Sequence, residues 1–229
     1  MKITLIKSHV LRYELDKELG YSQQYYKHRT AHIVEVQTDE GITGWGECFG
    51  PGNIALANKF IIEKVIQPII IGEDPLNKEY IWQKVYNLLR DSGQKGMPIQ
   101  ALSGVDIALW DILGKKTSSP LYQLIGGKCN KEVPVYGYGM MLQKKSVDEM
   151  ISLFKEESKQ IKSKNFKAMK MKIGLGPKDD LKLVQAVRNS IGNEFKLMVD
   201  ANHAYNLKDA LYVGKGLDEL DIYWFEEPV

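Results

Sequence analysis

Cysteine is scarce in this chain: there are two in 229 residues, Cys48 and Cys129, far apart in sequence. That excludes a disulfide-stapled scaffold and provides no paired spacing for a structural zinc. It suits a reducing compartment, so a cytoplasmic location is expected, although sequence leaves one disulfide between the pair open. Long apolar runs are also missing. None approaches the ~20 residues of a membrane span, so no membrane association is expected. The first ten residues mix polar and apolar types, without the apolar core of a signal peptide. Charge of one sign is lacking too: 31 Lys and Arg face 29 Asp and Glu, a formal net charge of +2. With no dense basic block, nucleic acid is not an expected partner. What remains, 44% hydrophobic and 26% charged, is the composition of an ordinary globular protein.

Taken in order, Ile3 and Leu5 alternate with polar residues and open a first strand that fades toward Tyr13. Residues 14–30 show no periodicity but hold Tyr21, Tyr25, Tyr26, His28 and Arg29. This reads as a polar-aromatic loop of the length found in lids and binding loops. Residues 31–38 form a strand with His32, Val34 and Val36 on one face, and Asp39-Glu40-Gly41 turns the chain into a hairpin partner over 42–47. A Gly/Pro-containing loop over 48–53 precedes helical patterns near 54–70, 77–90 and 99–115. Residues 1–126 thus read as an α+β domain, a three-stranded meander followed by helices.

From residue 133 the rhythm changes to strand, helix, strand. A strand is expected over 133–141 and a helix over 146–163, with Ser146 and Glu149 spaced as a capping box. Three further strand ends follow: Lys170-Met171-Lys172, Asp200-Ala201-Asn202-His203 and Trp224-Phe225-Glu226-Glu227-Pro228. Helical patterns near 177–190 and 207–220 separate them. Such repetition implies right-handed βαβ units with a parallel sheet. Strand starts near 133, 166, 196 and 222 make residues 127–229 about four strands of a (β/α) TIM-like barrel, which needs eight. Alternation puts Lys170 and Lys172 on one face, as it does Asp200 and Asn202. Barrel active sites lie at the carboxyl ends of the strands, so the two lysines, Asp200 and Glu226 are expected around one cup.

Together with Gly44-Trp45-Gly46-Glu47, Ala108-Leu109-Trp110-Asp111 and Leu124-Ile125-Gly126-Gly127, these strand ends resemble the enolase superfamily. Within it, the chain is most similar to the mandelate racemase/muconate lactonizing group. The motifs come in that family's order and extend from end to end. The resemblance implies a capping domain over a modified barrel that binds Mg²⁺. It makes Asp200 and Glu226 two of three carboxylate ligands, and Lys170 and Lys172 the catalytic pair, with Lys172 as the base that takes a proton α to a carboxylate. The third ligand and the acid or base on the opposite face of the substrate are expected on strands beyond Val229. Glu227 is expected to support the site from behind, and Glu226-Glu227-Pro228 resembles the racemase and acid-sugar dehydratase branch.

The chemistry is coherent with these residue types. An α-proton beside a carboxylate is weakly acidic, and a divalent cation relieves the charge its removal creates. A lysine near its ordinary pKa of ~10.4 is mostly protonated at neutral pH, and a second ammonium on the same strand face disfavours that charge. Asn202 could hydrogen-bond a ligand carboxylate or the substrate; Tyr25, His28 and His203 are the other candidate substrate-binding residues. The expected activity is dehydration of an acid sugar. Racemisation or epimerisation of a 2-hydroxy acid is the alternative, both on a small-molecule carboxylate. Half a barrel leaves open sheet edges. A fragment of a longer enzyme or a truncated non-catalytic remnant is therefore expected, with self-association into a homo-oligomer.

Overall fold

A computed structural model describes all residues, Met1–Val229. The chain forms two compact units, one of Met1–Leu15 with His28–Lys131, the other of Asp16–Lys27 with Glu132–Val229. The sequence-based division at residue 126 did not anticipate that Asp16–Lys27 goes with the second unit. No helix is long and apolar enough to cross a membrane.

Strands β1 (Ile3–Tyr21), β2 (Gln24–Thr38) and β3 (Thr43–Cys48) form a sheet in the order β1-β2-β3, all of it in the first unit except residues 16–27 of the β1–β2 hairpin. Ile3, Ile6, Val34, Val36 and Cys48 point into its core. Behind them lie α1 (Ile54–Phe60), a π-helical segment (Ile61–Ile66), α2 (Gln67–Ile70), α3 (Lys78–Leu89) and α4 (Met97–Thr117). Two of the sequence motifs meet here. A Cβ on Gly44 would sit 2.1 Å from Ala108 O, and one on Gly46 2.1 Å from Gly104 O. Helix α4 therefore lies flat on β3 only because both strand positions are glycine. Asp111 Oδ2 accepts from Trp45 N–H at 2.8 Å and from Lys115 at 2.6 Å, which fixes the same contact at its rim. The residues 44–47 and 108–111 are thus explained by packing within this unit.

The long hairpin corrects the sequence reading. Residues 14–30 are not a loop; β1 and β2 run on to a turn at Ser22-Gln23. Most side chains over residues 11–19 are exposed or half-buried, so no apolar alternation advertises the strand. Cross-strand backbone pairing holds it instead.

His32 on β2 is buried with both ring nitrogens unpartnered, as are Ser8 Oγ and Asn58 Oδ1. Burial, reinforced by the Lys59 charge and opposed by Glu63, pushes the His32 pKa down. The unfolded chain therefore binds more protons below the ordinary value of 6.5, and stability must fall with pH from there toward the depressed folded value. The urea midpoint is expected to drop between pH 7.5 and 5.5, and His32→Phe to flatten that limb. An unchanged slope in the variant would rule out His32 as the cause.

In the second unit, β4 (Gly137–Tyr138), β5 (Ala168–Lys172), β6 (Lys196–Asp200) and β7 (Trp224–Glu226) form a sheet in that order, with parallel pairing throughout. Helices α6 (Val147–Ser163), α7 (Pro177–Ile191) and α8 (Leu207–Glu219) connect them, after the short α5 (Leu121–Leu124) of the first unit. The capping box is formed: Ser146 Oγ accepts from Glu149 N–H, and the Glu149 carboxylate accepts from Ser146 N–H. The strand expected over 133–141 shrinks to two residues. Pro134 has no N–H to pair, Val133 and Val135 are exposed, and Gly137 lies against Ile161, where a Cβ would meet Cγ2 at 2.2 Å.

Candidate active site

Strand alternation builds the site. Met169, Met171, Ile173, Leu197, Val199 and Ala201 enter the apolar core. The intervening Lys170, Lys172, Met198 and Asp200 face the other side of the sheet, and all four are buried. Register then aligns the chemistry: Lys172 pairs laterally with Asp200, and Asp200 with Glu226. Three successive strand ends thus present Lys, Asp and Glu side by side.

Their side chains converge. Lys172 Nζ donates to Asp200 Oδ2 at 2.7 Å and also to Asn202 Oδ1. Lys170 Nζ donates to the same Asp200 oxygen at 3.0 Å and to Glu226 Oε1 at 2.7 Å. Burial would raise the Asp200 pKa, but hydrogen bonds from Lys172 and Lys170 hold it below the usual carboxylate range. Burial would likewise lower that of Lys170, and the hydrogen bonds to Glu226 and Asp200 outweigh it, so its pKa rises. The two ammonium groups thus balance two carboxylates, with Lys170, Lys172 and Asp200 buried and Glu226 35% exposed at the edge.

Asn202 supports it from the loop after β6. Its N–H donates to Asp200 Oδ1 at 3.0 Å, and its Nδ2 to Glu227 Oε2 at 2.9 Å. Asn202, His203 and Glu227 all hold positive φ, a costly arrangement for side-chain-bearing residues. His203 is exposed and contacts Glu227 and the Val229 carbonyl rather than the lysines or Asp200. His28 belongs to the first unit, where its Nε2 lies beside Gly52, and does not join this cluster. Tyr25 packs against the second unit's core, under the Lys144 ammonium.

Two features escaped sequence reasoning. Tyr138 on β4 faces both ammonium groups, 5.5 Å from Lys170 and 5.9 Å from Lys172, with Tyr21 6.0 Å from Lys172. Tyr138 pairs laterally with Lys170, a register that no local pattern of residue types reveals. The hairpin tip is also pinned: Ser22 Oγ lies 2.7 and 2.8 Å from the Ala201 and Asn202 carbonyls, and Gln23 Nε2 donates to His203 O at 2.9 Å.

No three or more His, Cys, Asp and Glu side chains gather at one point. Asp200 Oδ2 and Glu226 Oε1 nevertheless converge on a single cationic centre, the Lys170 ammonium. Two carboxylate oxygens without soft donors suit a hard divalent cation such as Mg²⁺. By this test the residues fit.

The antiparallel sheet with its helices and the four-stranded parallel sheet match a partial enolase-type barrel with its N-terminal domain. Residues 19–126 match the mandelate racemase/muconate lactonizing enzyme N-terminal domain, and residues 153–229 the enolase C-terminal domain-like family. The chain belongs to the mandelate racemase/muconate lactonizing group of the enolase superfamily. It is 39% identical to the D-galactarolactone cycloisomerase of Agrobacterium fabrum over 229 residues, 100% of this chain and 59% of that protein. It is 36% identical to the arabinonate dehydratase of Saccharolobus solfataricus over 197 residues, 86% of this chain and 52% of the relative. A crystal structure of a racemase from Streptomyces coelicolor with bound magnesium superposes at a TM-score of 0.90 with 30% identity, over 99% of this chain and 62% of that one. The chain thus spans between about half and three fifths of the length of these proteins.

Proposed function

We propose that this protein takes part in removing the proton α to the carboxylate of an acid sugar, leading to dehydration. The observation that carries this reading is the shared Asp200 oxygen, contacted by both Lys170 and Lys172 beside Glu226. Asp200 and Glu226 would hold Mg²⁺, which when bound supplies Lewis-acid stabilisation of the charge developing on the substrate carboxylate. Lys172, in its neutral amine form, would accept the α-proton at Nζ and become the ammonium that donates to Asp200 and Asn202. Lys170 places a fixed positive charge beside that nitrogen and orients Glu226 through its hydrogen bond. Asn202 holds Asp200 from the loop side through its N–H. Burial of the lysines and Asp200 excludes water, which strengthens each of these interactions. The likeness to an arabinonate dehydratase supports an acid sugar as substrate.

Racemisation or epimerisation is the second reading, favoured by the likeness to a magnesium-bound racemase. The test is to incubate the native gene product in D₂O with Mg²⁺ and a panel of acid sugars and 2-hydroxy acids. Deuterium is expected at the α-carbon, with loss of water from an acid sugar, and EDTA should stop both. Retention of every α-proton across the panel would defeat the proposal. Exchange with inverted configuration and no dehydration would favour the racemase reading.

A further inference from the structure

The proposed chemistry leaves one buried carboxylate without a role. Asp180 stands in the first turn of α7 and is 0% exposed. Its Oδ1 accepts from Gly174 N–H at 2.8 Å and Leu175 N–H at 3.0 Å. Its Oδ2 accepts from Gly176 N–H at 2.9 Å and from the Tyr205 hydroxyl at 2.7 Å. A carboxylate taken out of water is costly unless its oxygens are satisfied, and here four donors satisfy them. Gly174 and Gly176 hold φ of 121° and 135°, a region glycine enters readily, and three successive N–H groups thereby turn to one point.

This knot ties three strand ends together. Gly174 follows Lys172 by two residues. Tyr205 lies on the loop after Asp200 and Asn202, and its N–H donates to Pro228 O at 3.1 Å, just past Glu226. Burial, then the Asp180 charge, pushes the Tyr205 phenol up, so its hydroxyl remains a donor. Arg188 offers a contrast at the other end of the strands. It donates to the carbonyls of Phe195, Leu220 and Asp221, which precede β6 and β7.

We infer that Asp180 and Tyr205 are positioning residues that set the spacing of Lys172 relative to Asp200 and Glu226; this rests on the function proposed above for those three. Asp180 fixes the loop after β5, and Tyr205 joins it to the loops after β6 and β7. Neither touches the Lys170–Asp200 contacts directly, so each acts through the backbone.

The experiment compares the native gene product with its Tyr205→Phe, Asp180→Asn and Arg188→Lys variants. Readouts are Mg²⁺ affinity by calorimetry, local amide exchange and the urea midpoint. Tyr205→Phe is expected to remain folded, to weaken Mg²⁺ binding about tenfold, and to speed exchange at residues 174–176. Asp180→Asn should do the same more strongly, since its amide turns a donor toward donors. Arg188→Lys is expected to lower the urea midpoint while Mg²⁺ affinity stays within about twofold. Unchanged affinity in Tyr205→Phe, or an equal loss in Arg188→Lys, would overturn the inference. If the native gene product takes no Mg²⁺, the functional reading falls. The exchange data alone then decide positioning: faster exchange confined to 174–176 and 202–205 upholds it, and uniform acceleration refutes it.

Discussion

Asp200→Ala is expected to cost about 3–5 kcal/mol of folding stability, as removal of one partner from a buried ion pair does. The Lys170, Lys172 and Asp200 side chains are 9%, 8% and 2% exposed, so solvent cannot take over the lost partner. Without the carboxylate, two ammonium groups face each other, with Glu226 alone left to neutralise them. Total stability of a domain is about 5–15 kcal/mol, so the urea midpoint should fall steeply. Asp200→Asn should cost less, because an amide oxygen in the place of Oδ2 still accepts from the lysines while only the charge is lost. Both variants should lose Mg²⁺ binding. A denaturation curve for Asp200→Ala that overlies the parent's would mean the cluster is better solvated than its burial implies.

The second large effect belongs to Lys172→Ala. Removal of a positioned general base typically costs about 10²–10⁴-fold in rate, so α-proton exchange in the native gene product should fall by that order. The fold should tolerate this better than Asp200→Ala, since Asp200 keeps Lys170 at 3.0 Å and the Asn202 N–H. Lys170→Ala separates the two lysines: it removes a charge and the tie to Glu226, so Mg²⁺ affinity and rate should change together. Exchange that persists at the parental rate in Lys172→Ala would move the proton transfer to another group.

Much of the second unit was legible because β5 and β6 are buried on both faces. Lys170 and Lys172 sit two residues apart between Met169, Met171 and Ile173, and strand alternation needs no other information to separate them. Ser146 and Glu149 declared the start of α6 by local hydrogen bonding alone. The hairpin failed for the opposite reason. Over residues 11–19 the side chains face mostly solvent, so the property that makes them a strand resides in the backbone of β2. The first barrel strand failed because Pro134 and the glycines at 137 and 139 leave β4 only two paired residues.

Sequence alone determined the strand order of the second unit, the face on which each strand-end lysine and carboxylate lies, and the family motifs in their order. These depend on side-chain period and local spacing, which are properties of short stretches. Only the tertiary structure decided which groups meet: that Asp200 Oδ2 serves both lysines, that Glu226 reaches Lys170, and that His203 turns toward Glu227. It alone attached residues 16–27 to the second unit through Ser22 and Gln23, and linked Asp180 to Tyr205 across 25 positions of sequence. Those contacts depend on lateral register between strands and on loop backbones at positive φ, which no local pattern of residue types encodes.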